Sequence, residues 1–228
     1  MRHIFLAISF PLAVGLFNSI APSAEAVMLS LTDDFEDGTT MGWGHGKPSP
    51  NPPVVIPTGG PDGNDDAYLK ITATGGFGAG GRLLALNRQQ WNGDYLSAGI
   101  NTIAADVRNP GSTPLELRVA FNGSGGWFVS DNPYMLAANS GWLSAIFPIT
   151  EAALTTTGGG TYADTITNVS EMRILHNTSP VHQGAEEAAE FHVDNLRAVP
   201  EPASLAMSIL AFLAVSARMR CKKDRFNN

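Results

Sequence analysis

The run Leu115-Glu116-Leu117-Arg118-Val119-Ala120-Phe121 sets Leu115, Leu117, Val119 and Phe121 against Glu116, Arg118 and Ala120. Successive side chains of an extended chain point to opposite faces, so this alternation marks a strand with one buried side. The same period recurs on both sides of it. Ala67, Leu69, Ile71 and Ala73 oppose Tyr68, Lys70, Thr72 and Thr74, and Ile103, Ala105 and Val107 oppose Ala104, Asp106 and Arg108. Shorter runs of the same kind cover residues 127–130, 142–147, 172–176 and 190–193. Glycine and proline separate them, as turns require. Short alternating strands at this spacing predict an all-β fold, an antiparallel β-sandwich. Helical periodicity is confined to one turn over residues 151–154, with Thr150 placed to cap it. Pro48, Pro50, Pro52, Pro53 and Pro57 exclude a central strand, because proline donates no ladder hydrogen bond. That stretch is expected to run over the surface, along one sandwich edge.

The alternating region occupies residues 27–199, enough for one domain with a substantial core. Neither a second domain nor an internal repeat is visible. The region carries eight basic and eighteen acidic side chains, an excess of ten negative charges. Such a surface repels nucleic acid, and that class of partner is excluded. The only cysteine is Cys221, so the body has no disulfide and must rely on its core or on a bound metal.

Both ends have the composition of processing segments rather than of folded structure. Arg2 and His3 precede an apolar run over residues 4–20, and Ala24-Glu25-Ala26 offers the small residues that a signal peptidase reads. Residues 1–26 are therefore expected to be a signal peptide, cut before Val27. The chain ends with Pro200-Glu201-Pro202, an apolar stretch over residues 203–217, and a basic cluster that includes Arg218 and Arg220. A basic cluster after an apolar helix stays in the cytoplasm, which places the preceding domain outside. Fifteen residues of helix span about 22 Å against a hydrocarbon core of about 30 Å, which makes a short transmembrane helix and a weak permanent anchor.

This three-part tail, residues 200–228, resembles the PEP-CTERM sorting signal of Gram-negative and related bacteria. The resemblance implies that a membrane enzyme, exosortase, reads the Pro-Glu-Pro region and removes the helix. The expected location is the cell envelope, outer surface or extracellular matrix, after transient anchoring in the inner membrane.

The body also resembles a family. The stretch DDFEDGTTMGW, residues 33–43, is similar to the opening of β-jelly-roll modules of the carbohydrate-binding type, and EFHVDNLRAV, residues 190–199, to their last strand. QWNGDYLSAGI, GGWFVS and SGWLSAIFPIT resemble exported proteins with this same tail. The likeness implies a jelly-roll sandwich, and such modules often hold a structural Ca2+ between first and last strands. By that resemblance Glu36 and Asp194 are the expected ligands, with Asp66 contributing. The residues themselves add only that Asp33, Asp34, Glu36 and Asp37, and then Asp62, Asn64, Asp65 and Asp66, crowd oxygen donors into two places, as calcium requires. Ordinary acidic turns have the same composition. The second place is not an EF-hand, because Ala67 and Ala73 stand where the glycine and the bidentate glutamate belong.

Four tryptophans, Trp43, Trp91, Trp127 and Trp142, lie in the body. An exposed aromatic ring stacks on the apolar face of a sugar while Asn and Asp bind its hydroxyls. Trp91, Asn92, Asp94 and Tyr95 form one such candidate loop, and Trp127 another; the alternative for each is a core position. Gly76-Phe77-Gly78-Ala79-Gly80-Gly81 fits a dinucleotide-binding glycine pattern, but no helix-length segment follows it, and a flexible hairpin loop is expected instead. The histidines lack metal spacing, Asn122 breaks the serine-nucleophile motif around Ser124, and no catalytic residue is assigned. The sequence thus reads as a non-catalytic exported protein that binds carbohydrate or exopolysaccharide. A purely structural matrix protein and a glycan-active enzyme are its alternatives.

Overall fold

The computed structural model describes residues 27–200. The expected signal peptide, and all of the expected sorting tail beyond Pro200, lie outside the described residues. Two antiparallel six-stranded sheets face each other, as the alternation predicts. The strands are β1 (Thr32–Asp33), β2 (Val54–Ile56), β3 (Tyr68–Thr74), β4 (Leu84–Asn87), β5 (Thr102–Arg108), β6 (Leu115–Gly123), β7 (Gly126–Ser130), β8 (Tyr134–Leu136), β9 (Leu143–Pro148), β10 (Leu154–Thr156), β11 (Val169–His176) and β12 (Ala188–Val199). The first sheet runs β2-β3-β12-β5-β9, with β1 also on β12. The second runs β10-β7-β6-β11-β4, with β8 also on β6. Among the described residues no helix is long and apolar enough to cross a membrane.

Each alternating run buries the side that its pattern assigns. Leu69, Ile71, Ile103, Val107, Phe191 and Val193 enter the core from the first sheet, and Leu117, Val119, Phe121, Met172 and Ile174 from the second. At about 1.5–3 kcal/mol for each large side chain removed from water, this shared core is the main stabilising term.

Three local expectations need correction. Thr150 precedes a 3-10 turn (Glu151–Ala153), but its side chain makes no capping bond, and Leu154 continues as strand β10. The one α-helix among the described residues, α1 (Tyr162–Ile166), lies where no helix was expected, and Thr161 caps it by accepting from the Asp164 N–H at 3.1 Å. The glycine stretch 75–81 is no hairpin loop, because it carries the chain from β3 in one sheet to β4 in the other. Gly75, Gly76, Gly78 and Gly80 all have positive φ, and a Cβ on Gly81 would lie 2.6 Å from the Gly76 carbonyl. Only glycine permits that path. The proline-rich segment does run along an edge, where Pro53 and Pro57 bracket the three-residue edge strand β2.

Candidate functional site

The two rings of the loop expected to carry a sugar platform belong to the core instead. Trp91 and Tyr95 are fully buried, and Trp43 nearly so. The indole N–H groups of Trp43 and Trp91 donate to Asp33 Oδ2 at 2.6 and 2.7 Å, and the Gln90 amide donates to both Asp33 oxygens. The Tyr95 hydroxyl donates to the Trp91 carbonyl at 2.8 Å. Burial raises the pKa of the Asp33 carboxyl, and the Trp91, Trp43 and Gln90 donors pull it back. Asn92 donates to the Arg88 carbonyl, and Asp94 accepts from the backbone and hydroxyl of Ser97, which lowers its pKa. The correction has a plain cause. An indole finds a lower free energy in the core once its one polar atom has a buried acceptor, and Asp33 supplies that acceptor twice.

Trp127 does reach the outer face of the second sheet. There, however, its ring is stacked by the His182 imidazole at 4.5 Å and by the Arg173 guanidinium at 4.1 Å. Those groups occupy ring surface that a sugar would need. His182 belongs to residues 177–187, a strap laid over this face. Arg118 fastens the strap by donating to the carbonyls of Asn177 and Thr178, and Arg173 by donating to that of His182. Beneath it Ala120, Val129 and Leu175 form a small second apolar cluster.

Beside the strap opens a cleft of about 350 Å³. Leu84 and Leu86 of the edge strand β4 line it, together with residues 45–47, the glycine crossover, Arg88, Arg173 and Gln183. The segment before residue 45 is fixed to β4 by paired backbone bonds between Gly44 and Leu86. The crossover presents Phe77 with 89% of its surface exposed. Lys47, Arg82, Arg88 and Arg173 all line this one cleft, half of the body's basic residues. His45 Nδ1 lies 2.9 Å from Ser49 Oγ; its Nε2 lies near the Leu84 carbonyl but makes no hydrogen bond of normal geometry. Burial lowers the His45 pKa. Sequence reading missed this site. Its one signal was Phe77 itself, a large apolar residue with no strand pattern around it, set among glycines.

Two other places offer less. One, a hollow of about 380 Å³ lined by Thr72, Glu190 and the Asn109–Thr113 turn, has no aromatic ring. On the outer face of the first sheet Tyr68 stacks on His192 at 4.7 Å with Trp142 edge-on at 5.2 Å, but Tyr68 and His192 are almost wholly covered. Both nitrogens of His192 lack a hydrogen bond, Nε2 lying 3.4 Å from Glu190 without alignment, and burial lowers its pKa to about 4.

The residues expected to hold calcium lie near one another. Asp194, 1% exposed, sits opposite Asp106 across β12 and β5, at a bulge where Asn195 adopts a φ of 48°. Burial raises the Asp194 carboxyl to about 7, the Asn195 N–H opposes that rise, and Asp66, Asp106 and Glu36 add to it. Glu36 accepts from the Ala67 N–H at 2.8 Å, and Asp66 accepts from the Asp62 N–H at 2.6 Å. Among the described residues, no three His, Cys, Asp or Glu side chains converge closely enough to hold a metal by themselves. Main-chain oxygens would have to complete a shell.

No protein-family model matches the chain, and no curated protein sequence does. Solved structures share its architecture. A family 11 carbohydrate-binding module from Clostridium thermocellum, solved with a β-1,3-1,4-mixed-linked tetrasaccharide, is 16% identical, covers 75% of this chain and 95% of its own, and superposes with a TM-score of 0.50. An exo-β-agarase is 12% identical over 76% of this chain with a TM-score of 0.53, the match spanning 26% of the agarase. At such identities the likeness shows the fold: this chain is an antiparallel β-sandwich of the architecture found in carbohydrate-binding modules.

Proposed function

We propose that the protein is an exported, non-catalytic carbohydrate-binding protein that holds a sugar chain in the Phe77 cleft. The observation that carries this reading is an exposed aromatic ring beside convergent N–H donors. The ring sits on a glycine crossover whose backbone path requires glycine at Gly81. Sugar recognition uses that combination: stacking on the apolar face of the pyranose and hydrogen bonds to its hydroxyls. A cleft of about 350 Å³ is the size of ordinary small-ligand sites. The likeness to a module solved with a tetrasaccharide supports the reading at the level of fold.

The remaining parts belong to the same proposal. The sandwich is read as a jelly roll, its first and last strands paired as β1 on β12. Glu36, Asp66 and Asp194 would hold Ca2+, with main-chain carbonyls supplying the rest of its six to eight oxygens. The fit rests on Asp194, a buried carboxyl pressed upward by neighbouring acids, which a cation would neutralise. The ion would tie the segment after β1 and the loop before β3 to the last strand. Delivery through signal peptidase and exosortase, and a location in the cell envelope or matrix, follow from the tail's resemblance.

Affinity electrophoresis of the full chain through gels loaded with different polysaccharides tests the binding. At least one polymer should retard the protein, and Phe77→Ala should run ahead of the wild type in that gel. Equal mobility in every gel would leave a structural role.

A further inference from the structure

We infer that the Phe77 cleft selects an anionic sugar, one that carries a carboxylate or sulfate on its repeating unit. This rests on the carbohydrate reading above and narrows it. The body as a whole has a strong negative excess, yet four cations gather around one hollow. Their partners do not cancel them. Arg82 pairs with Glu186, while Arg88 and Arg173 share the single carboxylate of Glu171, each through its Nε at 2.5 Å. Lys47, exposed, makes no salt bridge to any described residue. Two carboxylates against four cations leave the cleft with two positive charges in excess.

Two of the four, Lys47 and Arg88, are also free in the geometric sense. Arg88 engages Glu171 only through Nε, and its terminal nitrogens donate to no described residue, with 53% of the side chain exposed. A planar guanidinium with both ends open matches the two oxygens of a carboxylate or sulfate.

Range decides whether the surrounding acids defeat this. At physiological salt the screening length is about 8 Å. A sugar seated in the cleft therefore feels Lys47 and the three arginines directly. Arg82 also lies 5.2 Å over the Phe77 ring. That guanidinium covers one face, and with 89% of Phe77 exposed a sugar would stack on the other.

Calorimetric titration of the full chain with three probes tests the inference: an oligoalginate, a sulfated galactan oligosaccharide, and a neutral mixed-linked β-glucan of similar length. At least one charged probe should bind tenfold or more tightly than the neutral one, and its affinity should fall as salt rises. Lys47→Gln, at an exposed side chain without an ion pair, should keep the wild-type melting temperature and weaken the charged probe several-fold. Arg88→Gln should weaken it further. A neutral probe that binds as well as the charged ones, and loses affinity in Phe77→Ala, overturns the anionic selection and leaves sugar binding intact. Charged-probe binding that Lys47→Gln and Arg88→Gln leave unchanged also overturns it. Poly-glutamate competing as well as alginate would show a general anion trap and overturn it too. No heat with any of the three would defeat the carbohydrate reading itself.

Discussion

Asp33 shows how one side chain settles the fate of two others. It is completely buried, yet it is the acceptor for both indoles and for Gln90. Asp33→Ala would strand two buried N–H donors, each worth about 1–3 kcal/mol when unmade. Less the relieved cost of burying a carboxylate, the loss should be about 2–4 kcal/mol in urea unfolding. The pH dependence follows from the direction of its shift. The folded state holds the Asp33 proton more tightly than the unfolded chain, whose carboxyl has the ordinary value of 3.8. Ionisation therefore costs stability, and the cost appears as pH rises above that value. Asp33→Asn has no such proton to lose. Its deficit against wild type should be largest near pH 4 and narrow toward pH 7; urea melts at the two pH values that show a widening gap would contradict the assignment. None of this was legible beforehand. In the sequence Asp33 is one of several crowded acids, and its indole partners lie 10 and 58 residues away. Residue type alone favours a core position for Trp91, but it does not name the acceptor that holds it there.

At the level of elements, legibility followed length. Strands β3, β5, β6, β9, β11 and β12 have six to twelve residues, and each contains an alternating run that sequence reading identified; five-residue β7 was also found. The edge pieces β2, β4, β8 and β10 have three or four residues. A period of two cannot declare itself over so few positions. They form because a neighbouring strand offers a ladder. The strap 177–187 was invisible for a related reason, since its anchor is remote. Arg118, 2% exposed, donates to the carbonyls of Ser130, Asp131, Asn177 and Thr178. Burial lowers the Arg118 pKa, and Glu116 at 3.5 Å opposes that effect. The sequence pattern placed Arg118 correctly on the outer side of β6, where a charged residue is expected to meet water. It meets the strap instead. Arg118→Met keeps the apolar stem and removes all four bonds. Unfolding free energy should drop by about 2–4 kcal/mol, and limited proteolysis should cut first within residues 177–187. A strap that stays uncut at wild-type rates would show that Arg173 and the Trp127–His182 stack hold it without Arg118.

Across the whole molecule, charge is sorted by face. Basic residues gather around the Phe77 cleft beside the second sheet, and acids gather where β12, β5 and the loop before β3 meet. The composition revealed the negative excess but not this sorting, because the fold draws Lys47, Arg82, Arg88 and Arg173 together from positions up to 126 apart in the numbering. The acidic end joins Glu36 and Asp194 from opposite ends of the body, a meeting that residue spacing alone does not give. Its consequence is the most direct to measure. Like charges around a buried carboxyl strain the folded state, and a divalent cation that binds only the folded chain removes that strain. With free calcium at about 100 times its dissociation constant, folding should gain about 2.7 kcal/mol. For a domain of this size that corresponds to a rise in Tm of roughly 5–10 °C over the same protein in EDTA. Asp194→Asn and Glu36→Gln should each abolish most of the difference, whereas Asp62→Asn, an exposed turn residue of the same loop that acts through its N–H, should preserve it. Superposable melting curves of wild type with calcium and with EDTA would mean that Asn195, Asp106 and their neighbours stabilise this corner without an ion.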